Sequence, residues 1–221
     1  MAVLIYRWIV FGLAAGYLVY LLIIDGDYSA VGGPFRFLTI WALLFTFFSM
    51  SRMMAIMEGR SDRDWPATVA VTGALNFMVV FLYWRLYFDN PANVRSDGEI
   101  TWWIEYYVHA LGPLLQWIDM LFIHRNIRGF RRAIALMAAT IVAYVAWIEL
   151  VVQRFNDAPF GSVTSGLPYP FLNNLDVSGR AAFYGQTAVM AVVMLLVIFG
   201  LGRLLRKAKP ADRPDMSDAK A

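Results

Sequence analysis

The chain has 221 residues, 60% apolar and 16% charged, with a mean hydropathy of +0.56. Soluble domains carry about 25% charged residues, so too few polar side chains are present to coat one, and a lipid-facing surface is implied. Cysteine is absent, which excludes disulfides, thiolate catalysis and cysteine-ligated metals, and the formal charge of +3 includes three lysines (Lys207, Lys209, Lys220) that all lie in the C-terminal tail, a local excess that suggests membrane topology rather than nucleic-acid binding.

A spanning helix needs roughly 20 mainly apolar residues. The first such stretch, residues 4–24, is too long for a signal peptide and no clear small-residue cleavage site follows it, so it reads as a retained anchor helix. Asp25-Gly26-Asp27 and Gly32-Gly33-Pro34 then punctuate the chain before a second stretch, residues 35–57. The third and fourth cover residues 66–88 and 102–123, separated by a turn that opens on Asp89-Asn90-Pro91. The fifth is 133–152. The longest connection follows, with Pro159, Gly161, Gly166, Pro168, Pro170 and Gly179, before the sixth stretch at 181–205. The expected fold is an all-α polytopic membrane protein: six transmembrane helices in one bundle over residues 1–206, with a disordered cytoplasmic tail at 207–221.

Lysine and arginine counts set the orientation. Arg52, Arg60, Arg63, Arg125, Arg128, Arg131, Arg132, Arg203, Arg206, Lys207, Lys209 and Arg213 fall on one side. Only Arg36, Arg85, Arg95, Arg154 and Arg180 fall on the other. Both termini are therefore expected in the cytoplasm, in agreement with Arg7. The short, arginine-rich loops suit a bacterial inner (cell) membrane.

Ionisable groups at membrane depth are costly, and each is a candidate for function. Glu105, His109, Asp119 and Glu149 lie inside predicted spans, while Arg7 and Arg85 lie near span ends, where they can snorkel. Thr39 is expected one turn into the second span. His109 is about seven residues into the fourth from the same side, roughly 10 Å deep at 1.5 Å per residue. Glu149, Gln186, Thr187 and Arg85 share that layer, and Asp119 belongs to the opposite end. Glu105 and His109 are four residues apart, on one helix face. The carboxylate either orients the imidazole as a catalytic base requires or sits idle among lipid headgroups. By spacing alone, Thr39 reads as a helix-bonded threonine.

Three blocks carry a resemblance. Gly-Gly-Pro-Phe-Arg-Phe-Leu-Thr-Ile-Trp at 32–41 is similar to the start of the second span in the family of androgen-induced and androgen-dependent six-span membrane proteins. Tyr107-Val108-His109-Ala110-Leu111-Gly112-Pro113, with Asp119 beyond it, resembles the family's central histidine block. Tyr169-Pro170-Phe171-Leu172 resembles its Tyr-Pro motif before the last span. Characterised members are intramembrane threonine hydrolases that cleave esters between a fatty acid and a hydroxy fatty acid. The resemblance implies Thr39 as nucleophile, His109 as its base and a membrane lipid as substrate, with no cofactor. Asn76, Tyr184, Gln186 and backbone amides near Thr39 are the candidate oxyanion donors, and Glu105 and Glu149 the supporting carboxylates. Trp41, Tyr106 and Arg36 are candidates for substrate contact, although an interfacial aromatic belt also accounts for Trp41, Trp102, Trp103, Tyr106 and Tyr107.

Other classes fit less well. One histidine within a span does not supply a bis-His haem site, no span carries a lysine for retinal, and a metal site of His109 with Glu105 and Glu149 would need two helices to converge. No inverted repeat suggests a transporter. The alternative is a non-catalytic membrane scaffold or accessory subunit, in which Thr39 and His109 only bridge helices.

Overall fold

The computed structural model describes residues 1–94, 101–156 and 162–207; the tail beyond Lys207, expected to be disordered, lies outside them. The described residues are helical, with no strand. Five helices are long and apolar enough to cross a membrane: α1 (Ala2–Ile24), α2 (Leu38–Met57), α3 (Pro66–Asp89), α5 (Phe130–Val152) and α7 (Val177–Lys207, apolar to Arg206). The fourth expected span is the helix α4, an unbroken run over 102–124, but Glu105, His109, Gln116 and Asp119 make it too polar to rank with these five. A short helix, α6 (Pro170–Asn173), precedes α7. The protein is a multi-pass integral membrane protein.

α3 is the central element and packs against α2, α4, α5 and α7. More than half of its apolar window is buried (56%), against 22% for each of α1, α5 and α7. A helix apolar on all sides suits that position. Its residues from Val69 to Val79 share the main core with Met53, Met120, Met137, Ala191, Leu195 and Ile198. Gly73 permits the closest approach there, since a Cβ on it would stand 2.7 Å from the Met120 side chain.

α4 is irregular. Wide π turns at Tyr107–Leu111 and Asp119–His124 flank a regular segment, Gly112–Ile118. Pro113 has no N–H to offer the turn before it. The His109 carbonyl, four residues earlier, instead accepts from the Trp84 indole at 2.8 Å. The irregularity thus falls on the histidine and is braced from α3.

Arg7 does not snorkel. It is buried and holds the equally buried Asp119 of α4 at 2.6 Å, tying α1 to α4. Burying either charge alone would be costly, and the pairing offsets that cost for both. Nearby, His124 Nε2 lies 2.9 Å from Asp64, which Arg128 approaches at 3.6 Å. Arg85, by contrast, is exposed.

Candidate functional site

α2 begins later than expected. Gly33–Arg36 form a tight 3-10 turn, and Leu38 is the first α2 residue, so Thr39 lies in the first turn rather than below it. The turn depends on Gly32 and Gly33, whose φ values of +90° and +48° are left-handed. A Cβ on Gly32 would also stand 2.9 Å from Val152, and one on Gly33 2.7 Å from the Tyr28 ring.

The start of α2 is then held through its main chain. The Phe35 carbonyl accepts from both the Trp41 and Trp147 indoles, at 2.9 and 3.1 Å. The Arg36 carbonyl accepts from the Tyr144 hydroxyl at 3.0 Å, and the Leu38 amide donates to the Tyr169 hydroxyl at 3.1 Å. Tyr169 is placed by Asn173, which is fully buried and exchanges hydrogen bonds with Leu167 at 2.9 and 3.2 Å. First-turn amides of a helix have no intrahelical acceptor; here one is matched by a tyrosine from a loop 131 residues away in sequence.

The Thr39 hydroxyl lies 3.2 Å from His109 Nε2. On the other side of the ring, Nδ1 lies 2.9 Å from the Glu105 carboxylate. Glu105 and His109 are both buried. Tyr83 of α3 stacks flat on the imidazole. Hydroxyl, imidazole and carboxylate thus form one row across α2 and α4. A carboxylate at Nδ1 favours the tautomer with its proton there, which leaves the Nε2 lone pair for the hydroxyl proton.

Two cavities meet at this row. The outer one, about 630 Å³, has a mixed lining in which Asp25, Asp27, Arg36, Thr39, Glu105, His109 and Tyr169 stand among apolar side chains. The inner one, about 100 Å³, is apolar and runs between α3, α5 and α7. Thr39, Tyr83, Val94, His109 and Tyr169 border both.

The remaining candidates are placed unequally. Arg36 faces the outer cavity and pairs with Asp27 at 2.8 Å. Asn76 shares a cleft of about 10 Å³ with Thr39, but its amide donates to Thr46 at 2.9 Å. Tyr184 lines the inner cavity, yet its hydroxyl is spent on Glu149 at 2.7 Å. Glu149 is occupied by that bond and by Arg180 at 2.9 Å, so it supports the α5–α7 contact instead of the histidine. Gln186 is exposed on α7 and does not approach Thr39 as an oxyanion donor would. Trp41 borders neither cavity and serves the Phe35 carbonyl, while Tyr106 is 52% exposed and points away. Tyr83, Trp84 and Tyr144 went unmarked in the sequence, where aromatic residues near span ends look alike. Among the described residues, no three His, Cys, Asp or Glu side chains gather as metal ligands would.

Fold and site together define a helical membrane protein with a buried hydroxyl–imidazole–carboxylate row at the junction of two cavities. The chain belongs to the FAR-17a/AIG1-like protein family, whose model matches residues 4–203. No curated protein and no solved structure matches it. The three blocks that resemble the family in sequence converge here: Thr39, His109 and Tyr169 border the same two cavities.

Proposed function

We propose that the protein is an intramembrane threonine hydrolase that cleaves an acyl ester of a membrane lipid, such as a fatty acid ester of a hydroxy fatty acid. The observation that carries this reading is the 3.2 Å approach of the Thr39 hydroxyl to His109 Nε2 where a cavity with charged and polar side chains joins an apolar one. An ester is itself such a junction, polar at the carbonyl and apolar along the tail. A helix-bridging role needs the contact but not the cavities.

In the mechanism, Thr39 Oγ1 attacks the ester carbonyl carbon as His109 Nε2 takes its proton. The tetrahedral intermediate collapses, the bond to the alcohol oxygen breaks, and Nε2 returns the proton to that oxygen. Water then attacks the acyl-threonine, gives a proton to Nε2, and the acid departs as Thr39 regains its hydrogen. Glu105 keeps the ring oriented and balances the charge it gains. The Leu38 and Ile40 amides are already bonded, so the developing oxyanion falls to the Thr39 amide in the first turn of α2, at the positive end of the helix dipole. The site lies in the outer leaflet of a six-span bundle with both termini cytoplasmic, α4 serving as the span whose polar residues face inward.

The experiment is labelling with a fluorophosphonate probe and lipid-ester hydrolysis in nanodiscs. Both should vanish in Thr39→Ala and in His109→Ala while thermal unfolding shows an intact fold. Glu105→Gln should keep the label but slow hydrolysis by on the order of 10²-fold. Persistent labelling in either alanine variant sinks the assigned roles, and a co-purifying protein without labelling would favour the accessory-subunit alternative.

A further inference from the structure

α2 opens on three consecutive amides, and first-turn N–H groups all point out of the helix start. The Leu38 N–H donates to the Tyr169 hydroxyl and the Ile40 N–H to the Phe37 carbonyl, each at 3.1 Å. Only the Thr39 amide between them is left for an oxyanion. Oxyanion holes commonly join backbone N–H groups to side-chain donors, so a second donor belongs beside Thr39. Most polar side chains near the junction are spent. Tyr144 gives its hydrogen to the Arg36 carbonyl, Tyr184 to Glu149, and the Asn76 amide donates to Thr46. Tyr83 gives its ring to the imidazole.

Tyr169 differs from these. Its oxygen accepts from the Leu38 amide, which leaves the phenol hydrogen to be given. The neighbouring oxygen is the neutral Tyr144 hydroxyl, whose own hydrogen goes to Arg36. A charged oxyanion is a better acceptor than a neutral phenol, because charge-assisted hydrogen bonds are roughly twice as strong. The bond to Leu38 sets the phenol oxygen next to the nucleophile's residue, and Tyr169 borders both cavities, as Thr39 and His109 do.

The phenol is also held in place beforehand. Tyr169 precedes Pro170, which excludes helical backbone, and is extended at φ −116° and ψ 129°. Its carbonyl accepts from Asn173 at 3.4 Å, and its ring packs on Phe37 and Phe171 with centroids 5.8 and 5.9 Å apart. Burial pushes its ionisation up, while the Leu38 amide and the Tyr144 hydroxyl pull the other way. The net shift is upward, so the group is a neutral donor at physiological pH.

We propose that Tyr169 is a catalytic residue whose hydroxyl, with the Thr39 amide, forms the oxyanion hole for the tetrahedral intermediate. The proposal rests on the hydrolase reading. The phenol hydrogen stays on its own oxygen throughout; no bond is made or broken there. The Leu38 amide, donating to that oxygen, polarises the phenol and makes it the stronger donor.

The test uses wild type, Tyr169→Phe, and protein with Tyr169 replaced by 3,5-difluorotyrosine, all in nanodiscs with 4-nitrophenyl octanoate. Tyr169→Phe keeps the ring contacts and should lose about 10²–10³-fold in kcat with KM little changed. It also removes the acceptor of the Leu38 amide, so the fluorinated protein separates the two roles. Its phenol keeps the oxygen but ionises below the ordinary tyrosine value of about 10. The phenolate still accepts from Leu38 and no longer donates. The alkaline limb of kcat should therefore move to lower pH than in wild type, with His109, Glu105, Arg36 and Tyr144 the same in both proteins. Wild-type kcat in Tyr169→Phe, or an unmoved limb in the fluorinated protein, overturns the proposal. If hydrolysis needs Thr39 and His109 but not the Tyr169 hydroxyl, this proposal falls alone. If wild type hydrolyses no ester and takes no fluorophosphonate label, the hydrolase reading falls and takes it along.

Discussion

Tyr83 lies flat on His109, with ring centroids 3.6 Å apart and planes 8° from parallel. Thr39 and Glu105 hold the two nitrogens of the imidazole, and Tyr83 covers one face, so the ring has little freedom to rotate. Stacked aromatic pairs contribute about 0.5–1.5 kcal/mol beyond their buried area. Tyr83→Ala should therefore lower ester hydrolysis by about two- to tenfold, while Tyr83→Phe keeps the stack and most of the rate. Steady-state kinetics in nanodiscs decide the matter, and equal rates in the two variants would remove the stack from the account.

Gly32 bends the chain into α2 with φ of +90°, and a Cβ there meets both strain and Val152. Left-handed backbone costs an ordinary residue roughly 1–2 kcal/mol. Gly32→Ala should lose at least that much stability and should slow hydrolysis as well, because the first turn carrying Thr39 shifts. Gly59 is the control: its φ is also positive, at +70°, but nothing lies near its Cβ and it is remote from the site. Gly59→Ala should destabilise modestly and leave hydrolysis by the folded protein unchanged. Thermal unfolding measured beside activity separates the two effects.

The Arg7–Asp119 pair predicts a non-additive result. Removing one partner leaves an uncompensated charge in an apolar setting, which costs about 3–5 kcal/mol. Asp119→Ala should unfold at markedly lower temperature than wild type. The double variant Arg7→Met, Asp119→Leu should recover most of that loss, since neither charge remains. A double variant as unstable as the two single ones combined would show that the pair does more than neutralise itself.

Asp27 sits at the mouth of the outer cavity, outside the spans. Its carboxyl is pulled down to about 2, first by the Ser29 hydroxyl and amide and then by Arg36. A depressed carboxylate stabilises the fold above its unfolded value near 3.9, and that contribution is lost as pH falls through about 2. The Asp27–Arg36 clasp should therefore be unchanged between neutral pH and about pH 5. Carboxyl NMR titration should show the midpoint rising in Arg36→Gln and rising further in Ser29→Ala. The reverse order would mean that the arginine dominates.

Much of this was legible in the residues themselves. Apolar length located α1, α3 and α5 to within three residues, because lipid imposes a requirement that a single chain must satisfy alone. The Glu105–His109 spacing was visible because it needs only one helix. Relations between helices were not visible. Nothing in the local sequence of Arg7 indicates that Asp119 awaits it, and an aromatic such as Tyr83 near a span end looks like an interfacial residue until a neighbouring helix supplies the imidazole. The α2 start was misjudged because Phe35 and Phe37 continue the apolar run through a turn that is not yet α-helix.

The clamps on Phe35 and Arg36 fall on main-chain oxygens, not on side chains. Any amino acid presents the same carbonyl. The clamp therefore asks nothing of the side chain at Phe35, and at Arg36 only the pairing with Asp27 does. What the grip does require is Gly32, Gly33, Tyr144, Trp147 and Tyr169 taken jointly, so a change at any of these distant positions reaches the threonine through the backbone.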